Sequence, residues 1–120
     1  SSKDDKELLL AFATEAANGL VTAVALRFPY IACEVNEEYI TFSFESHDNS
    51  RGHLLPMLKQ TLNDYLVNEI TVLWLTLRQP QMAQTNIALR SALYSNVQQM
   101  FAKFYNRNKV RRRPTNLVGI

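Results

Sequence analysis

A dense group of cationic side chains stands near the C-terminus of this 120-residue chain. Five of them fall within seven residues: Arg107, Lys109, Arg111, Arg112 and Arg113. Lysine and arginine neutralise phosphates and release counterions, which gives a strong, salt-dependent attraction that does not read base sequence. The nearby Tyr105, if exposed, would stack on a base. The pattern predicts a nucleic-acid-binding segment, and a solvated basic tail is the alternative.

The charge of the chain is divided unequally along its length. Residues 1–69 carry 5 basic and 11 acidic side chains, whereas residues 70–120 carry 8 basic and no acidic side chains. The formal net charge of +2 therefore hides a change from −6 to +8, with Glu69 as the last carboxylate side chain. Arg90 and Lys103 belong to the basic part, so we predict that they contact phosphates together with the five clustered cations.

Metal binding and cysteine catalysis have little support. Cys33, His47 and His53 are the only soft or borderline ligands in the sequence, and they show neither CxxC nor helical HxxxH spacing. A histidine base approaches Cys33 only through the fold, and the adjacent Glu34 disfavours the thiolate. A packed cysteine and two loop histidines are the ordinary explanation, so we predict no metal, no cofactor and no catalysis.

Two further features leave alternatives open. Glu34, Glu37, Glu38 and Glu45 surround a predicted hairpin, and two carboxylates about five to nine Å apart can hydrolyse glycosides. No aromatic sugar platform accompanies them, so an exposed acidic hairpin is the ordinary explanation. The last six residues, 115–120, are mostly apolar, and they either bind a partner protein or pack back on their own domain.

Composition excludes several classes of protein. The hydrophobic content of 47% supports a folded core, and the length suits one domain. A single cysteine excludes a scaffold framed by internal disulfides, and three glycines argue against a Gly-rich phosphate loop. No window of about 18 apolar residues is visible, and the N-terminus does not resemble a signal peptide. We therefore predict a cytoplasmic protein without a membrane span.

Hydrophobic periodicity predicts six elements of secondary structure. They are a helix from Asp4 or Asp5, strands at 30–35 and 39–44, a helix with Pro56 in its first turn, a strand at 70–77 and a helix at 87–106. Residues 20–26 remain undecided between helix and strand, and Pro29 ends any helix before it.

These elements predict an α+β fold: a small two-layer sandwich in α-β-β-α-β-α order. A three-stranded sheet is packed by three helices, with a right-handed parallel crossover from Tyr39 to Leu77. Residues 1–107 form the single predicted domain, and residues 108–120 form a basic C-terminal tail.

Three stretches resemble a known family. They are Glu38–Phe44, the Leu-rich run Leu54–Tyr65, and Ile70-Thr71-Val72. Together they look like the C-terminal domain of the tau/gamma subunit of bacterial DNA polymerase III in Bacteroides-like bacteria, with a helix of "LLxxLxxxLNN" type between two strands. Residues 20–29 would supply the helix and proline before the first strand, and the similarity covers roughly residues 15–106.

The last helix extends the resemblance, and the tail departs from it. Tyr94 would open that helix, Met100 and Phe101 would lie inside it, and Asn106 would end it. The family tends to have proline where Arg107 stands, and a more mixed helix in place of the basic tail.

The resemblance implies a non-catalytic domain of a clamp-loader subunit that contacts the polymerase and DNA. No ATP-binding motif of the GxxxxGK[ST] type is present in this sequence. An adaptor or nucleic-acid-binding module unrelated to replication is the second hypothesis, and a small enzyme using the acidic hairpin or Cys33 is the third.

Overall fold

Three long helices and one short hairpin account for most of the structure. The computed structural model describes residues 2–45 and 49–105 and is 78% helical. In chain order the elements are α1 (Ser2–Ala25), β1 (Ala32–Val35), β2 (Ile40–Ser43), a 3₁₀-helix (Asn49–Leu54), α2 (Leu55–Arg78), a short 3₁₀-helix (Pro80–Met82) and α3 (Gln84–Tyr105).

The predicted three-stranded α+β sandwich is wrong. The described residues contain only a two-stranded antiparallel sheet, because the predicted strand Ile70–Leu77 forms the second half of α2. The parallel crossover from Tyr39 to Leu77 is wrong for the same reason. No glycine or proline interrupts the chain between Pro56 and Pro80, so nothing ends the helix. The Thr71 hydroxyl donates to the Val67 carbonyl at 2.7 Å, a bond that suits a β-branched residue inside a helix.

Residues 20–25, left undecided by the sequence, continue α1 to Ala25. The backbone N–H groups of Arg27 and Phe28 then both donate to the Val24 carbonyl, which closes the helix just before Pro29. The buried side of α1 comprises Ala16, Ala17, Leu20 and Val24. Small residues on this side let the helix approach its neighbours closely.

By length and composition alone, α1 is apolar enough to cross a membrane. An 18-residue window within it has mean hydropathy 1.6, and 22% of that window is buried inside the structure. The sequence analysis missed it because polar residues such as Glu15 and Asn18 interrupt the apolar run, while the average still stays high. Core helices of soluble proteins and N-terminal signal sequences pass the same test, so the finding assigns no compartment. The cytoplasmic location stays a prediction.

The hairpin follows the sequence prediction at its strands and turn. Cys33 pairs with Phe42 and Val35 with Ile40, so these four side chains share the inner, half-buried face. The Asn36 side-chain oxygen accepts bonds from the backbone N–H groups of Glu38 and Tyr39, at 2.8 and 2.9 Å. This local bonding pattern of asparagine fixes the turn.

The core lies at the end of the helices that carries the hairpin. Phe28, Phe101 and Phe104 are each no more than 1% exposed. Phe44 bridges the hairpin to α3, because its ring stands edge-on to Phe101 and Phe104 at centroid distances of 5.4 and 5.3 Å. We call this the hairpin end, where α1 and α3 end and α2 begins.

The opposite end, where α2 turns into α3 through residues 80–82, is called the turn end. Here the Arg78 guanidinium bonds to the Asp5 carboxylate at 3.0 Å, which places the end of α2 beside the start of α1. Buried Asn68 donates to the Asn86 carbonyl at 2.9 Å, and the Asn86 amide donates back to the Asn68 side-chain oxygen at 2.8 Å. This reciprocal pair fixes how α2 and α3 align.

Candidate nucleic-acid interface

The last described residue, Tyr105, ties the end of α3 to the start of the hairpin. Its hydroxyl donates to the Pro29 carbonyl at 3.1 Å, and its ring lies 5.2 Å from that of Phe28. Burial, and secondarily the Glu45 carboxylate, raise its pKa. Since Tyr105 is only 8% exposed, the prediction that it would stack on a base is wrong. These contacts hold the end of α3 beside Pro29 and Phe28, two residues before Arg107.

Five of the seven predicted phosphate contacts lie outside the described residues: Arg107, Lys109, Arg111, Arg112 and Arg113. The predicted tail 108–120, including the apolar residues 115–120, lies outside them as well, and so does His47. The last described residue, Tyr105, precedes Arg107 by two positions in the sequence.

The two remaining predicted contacts, Arg90 and Lys103, are not brought together. They are 13 residues apart on α3, which separates them by about 20 Å along the axis and about 220° around it. The Arg90 guanidinium bonds to the Glu69 carboxylate at 2.7 Å, and that carboxylate is the more buried partner. Lys103 is exposed in the last turn of α3, next to the basic segment.

Arg27 and Tyr30 also lie at the hairpin end, and the sequence analysis did not select them. Tyr30 is 74% exposed and has a backbone φ of 72°, the one positive φ among the described non-glycine residues. The guanidinium of the exposed Arg27 lies 5.1 Å from the centre of the Phe28 ring. The only local signal in the sequence was Pro29, which marked a turn and carried no information about the left-handed backbone at Tyr30.

The four carboxylates of the hairpin region are exposed, which fits the interpretation of an exposed acidic hairpin. Glu34 lies on the outer face of the hairpin opposite Thr41, and Glu37 and Glu38 lie at its tip. Glu45 follows β2 near Tyr105. Within residues 2–45 and 49–105, no basic side chain forms an ion pair with Glu34, Glu37 or Glu38.

Cys33 packs against the core, and its thiol donates to the side-chain oxygen of Asn18 at 3.3 Å. Burial raises the pKa of the thiol, which disfavours the thiolate that a nucleophile or metal ligand needs. Among the described residues there is no group of three or more His, Cys, Asp or Glu side chains that could hold a metal ion.

Apolar side chains remain exposed at the turn end. Leu77 is 59% exposed, Met82 57% and Leu9 42%. The Arg78 guanidinium covers the Trp74 ring at 4.5 Å from its centre while it also binds Asp5. This end therefore offers an apolar surface bordered by charge, and it lies opposite the end of α3 at Tyr105.

The chain matches no family model, no curated protein and no solved structure. The resemblance to the C-terminal domain of the tau/gamma subunit stays a prediction. The strand that the resemblance expected at Ile70-Thr71-Val72 is helical here.

Proposed function

We propose that this chain is a non-catalytic interaction domain that binds DNA phosphates at its hairpin end. The basic segment Arg107–Arg113 and the exposed Lys103 supply the contacts. Following the resemblance, the parent protein is a clamp-loader subunit of the DNA replication machinery, and the protein partner is the polymerase or another replication protein.

One observation carries this proposal: the anchoring of α3 at Tyr105 beside Pro29 and Phe28. Tyr105 is fixed there, and the first of the five cations follows it by two residues in the sequence. No carboxylate side chain occurs among residues 70–120. A cationic segment joined to a folded body binds a phosphate backbone without base-specific contacts.

Arg90 takes a different role in the proposal from that of the other cations. Its guanidinium is paired with Glu69, and it lies near the turn end of α3, far from the basic segment. We assign it to the packing of α2 on α3, and we expect its replacement to change stability more than DNA binding.

The exposed apolar residues at the turn end support a protein contact there. Leu77 and Met82 flank the connection between α2 and α3, and Leu9 lies one turn beyond Asp5 on α1. A polymerase subunit bound at this end would leave the hairpin end open to DNA. The two proposed contacts therefore do not compete for the same surface.

The alternative is an adaptor or nucleic-acid-binding module unrelated to replication. The basic segment serves that role equally well, because phosphate contacts do not distinguish one nucleic acid from another. Binding to a purified replicative polymerase subunit of the same organism separates the two hypotheses. If the chain is a replication domain, the wild-type protein should bind the polymerase subunit and Met82→Glu should abolish that binding. If the wild-type protein does not bind it, the adaptor hypothesis is favoured.

The DNA contact is tested with two variants of equal charge. Arg111→Gln, Arg112→Gln and Arg113→Gln are combined in one protein, and Lys3→Gln, Lys6→Gln and Arg78→Gln, all at the turn end, in the other. Each removes three positive charges, so the net charge falls from +2 to −1 in both.

We expect the first variant to bind a labelled 20-nucleotide single strand at least about tenfold more weakly in 50 mM salt. The second variant should stay within about twofold of wild type, because its three cations lie at the turn end, opposite the end of α3 at Tyr105. Equal losses in the two variants would mean that only net charge matters, and the proposed interface would then be wrong.

A further inference from the structure

We propose that Tyr30 is a base-stacking residue, and that the interface at the hairpin end is built for single-stranded nucleic acid. The inference deepens the proposed function and rests on it, because the basic segment brings the strand to this end. It names the class of ligand: a nucleic acid strand whose bases are not paired.

The position of Tyr30 supports this role. It follows Pro29, and the Pro29 carbonyl is the acceptor for the Tyr105 hydroxyl. The exposed aromatic ring therefore belongs to a residue next to the point where the basic segment begins. Arg27 lies three residues before Tyr30 and adds an exposed cation on the same connection. Aromatic rings interleaved with cations are the usual means of holding single strands without reading their sequence.

The backbone of Tyr30 is a second, independent observation. A bulky L-residue at φ 72° is strained, and glycine or asparagine is the usual choice there. Tyr30 is 74% exposed, so packing contacts within the fold do not compensate for this strain. Strained residues of this kind cluster at binding sites, where the surrounding structure holds them in place.

The positions of the acidic side chains around Tyr30 are also compatible with a nucleic acid strand bound there. Glu37 and Glu38 lie at the hairpin tip, seven and eight residues beyond Tyr30, which is about 20 Å along an extended strand. That distance exceeds the screening length of about 10 Å at 0.1 M salt, so these carboxylates repel a strand at Tyr30 only weakly. Glu45 is nearer, because Ser43 pairs with Ala32 at the base of the hairpin. Replacing it, as in Glu45→Gln, is expected to strengthen binding two- to threefold.

The test uses the full chain with Tyr30→Leu, Tyr30→Phe and, as the matched control, Tyr39→Leu. Tyr39 is 61% exposed and lies at the hairpin tip, away from Pro29 and Tyr105 at the base of the hairpin. Each protein is titrated against a labelled 20-nucleotide oligothymidine, a 20-base-pair duplex and an abasic strand of equal length. Leucine at position 30 keeps the same backbone strain, so its melting temperature should equal that of wild type.

Tyr30→Leu should weaken binding to oligothymidine about fivefold or more while changing duplex and abasic-strand binding less than twofold. Tyr30→Phe and Tyr39→Leu should bind like wild type, because a ring without the hydroxyl still stacks. The inference is overturned if Tyr30→Leu binds oligothymidine normally, if it weakens all three ligands equally, or if Tyr30→Phe loses as much as Tyr30→Leu.

The two proposals fail separately. If the triple arginine variant weakens binding and Tyr30→Leu does not, only the stacking inference fails. If the triple arginine variant binds normally and Tyr30→Leu alone loses single-strand affinity, the phosphate contacts fail and the stacking stands. If the wild-type chain binds none of the three ligands, both are wrong.

Discussion

The two ends of the helical body are built differently. At the hairpin end, α1, α2, α3 and the hairpin enclose a cluster of aromatic rings, and Phe101 is completely buried. At the turn end, polar contacts hold the helices together. Both ends expose apolar side chains, such as Leu77 and Met82 at the turn end and Leu26 and Met57 at the hairpin end.

We propose that the two ends serve two different surfaces. Aromatic packing at the hairpin end fixes the end of α3 at Tyr105 beside Phe28 and Pro29, next to Tyr30. The turn end, which is held by polar contacts, is the proposed surface for a protein partner. The two ends are about 36 Å apart along the 24-residue α2, so the two proposed surfaces do not overlap.

The largest expected effect is on the aromatic cluster. Phe101→Ala should lower the free energy of unfolding by about 3–5 kcal/mol, because it leaves a cavity that Phe28 and Phe44 cannot fill. Leu77→Ala, at the turn end, should cost less than about 0.5 kcal/mol. Urea denaturation measures both, and equal costs would show that the two ends are packed alike.

The next effect concerns the asparagine pair. Asn68→Ala removes both bonds to Asn86 in a position that is only 5% exposed. We expect a loss of about 1–3 kcal/mol, since the half-buried Asn86 side chain loses its acceptor and the Asn86 carbonyl loses a donor. Asn63→Ala, on the exposed side of α2, is the control and should be nearly neutral in the same denaturation experiment. If Asn68→Ala and Asn63→Ala lower the free energy of unfolding by similar amounts, the bonds between Asn68 and Asn86 do not stabilise the contact of α2 with α3.

A smaller effect is expected from pH. Burial, and after it the Glu69 carboxylate, raise the pKa of Tyr65 from 10.0 to about 12. The folded state therefore keeps a proton that the unfolded state loses, so stability is complete below pH 10 and falls as pH rises towards 12. Melting temperatures between pH 9 and 11.5 should fall less steeply in Tyr65→Phe than in wild type. If the melting temperatures of the two proteins fall equally with pH, the raised pKa of Tyr65 is contradicted.

The smallest effect is expected for the ion pair at the turn end. Arg78 and Asp5 are nearly half exposed, so Arg78→Ala should cost no more than about 1 kcal/mol, part of it from the contact with Trp74. The cost should shrink in 0.5 M salt as the charges are screened. A salt-independent loss would assign the effect to the Trp74 contact alone.

The sequence predicted the local features of the fold well. The end of α1 lies before Pro29 as predicted, and β1 and β2 fall within the predicted strands at 30–35 and 39–44. Each of these signals acts within a few residues, so periodicity and turn chemistry were enough to read them.

The error at Ile70–Leu77 has a physical reason. β-branched residues favour strands only weakly, and here they are outweighed by tertiary contacts that the sequence does not display. Asn68 bonds to Asn86, Glu69 bonds to Arg90, and Val72 is buried against the neighbouring helices, all on a continuous helix. The absence of glycine and proline from 57 to 79 was the available signal for one long helix.

The candidate site was only partly predictable. The run of cations is visible in the sequence, but the burial of Tyr105 and the exposure of Tyr30 depend on how α3 meets the hairpin. Likewise, the Glu69 partner of Arg90 lies 21 residues away on another helix. Sequence reasoning identified the charges and could not decide which of them are already paired.

The most direct test of the central claim is the salt dependence of single-strand binding. The logarithm of the association constant is plotted against the logarithm of salt concentration for wild type and for the chain with all five cations of Arg107–Arg113 replaced by Gln. Each phosphate contact contributes about 0.7 to the slope, so we predict a slope shallower by about 3–4 in the variant. An unchanged slope would contradict the account, because the basic segment would then make no phosphate contacts.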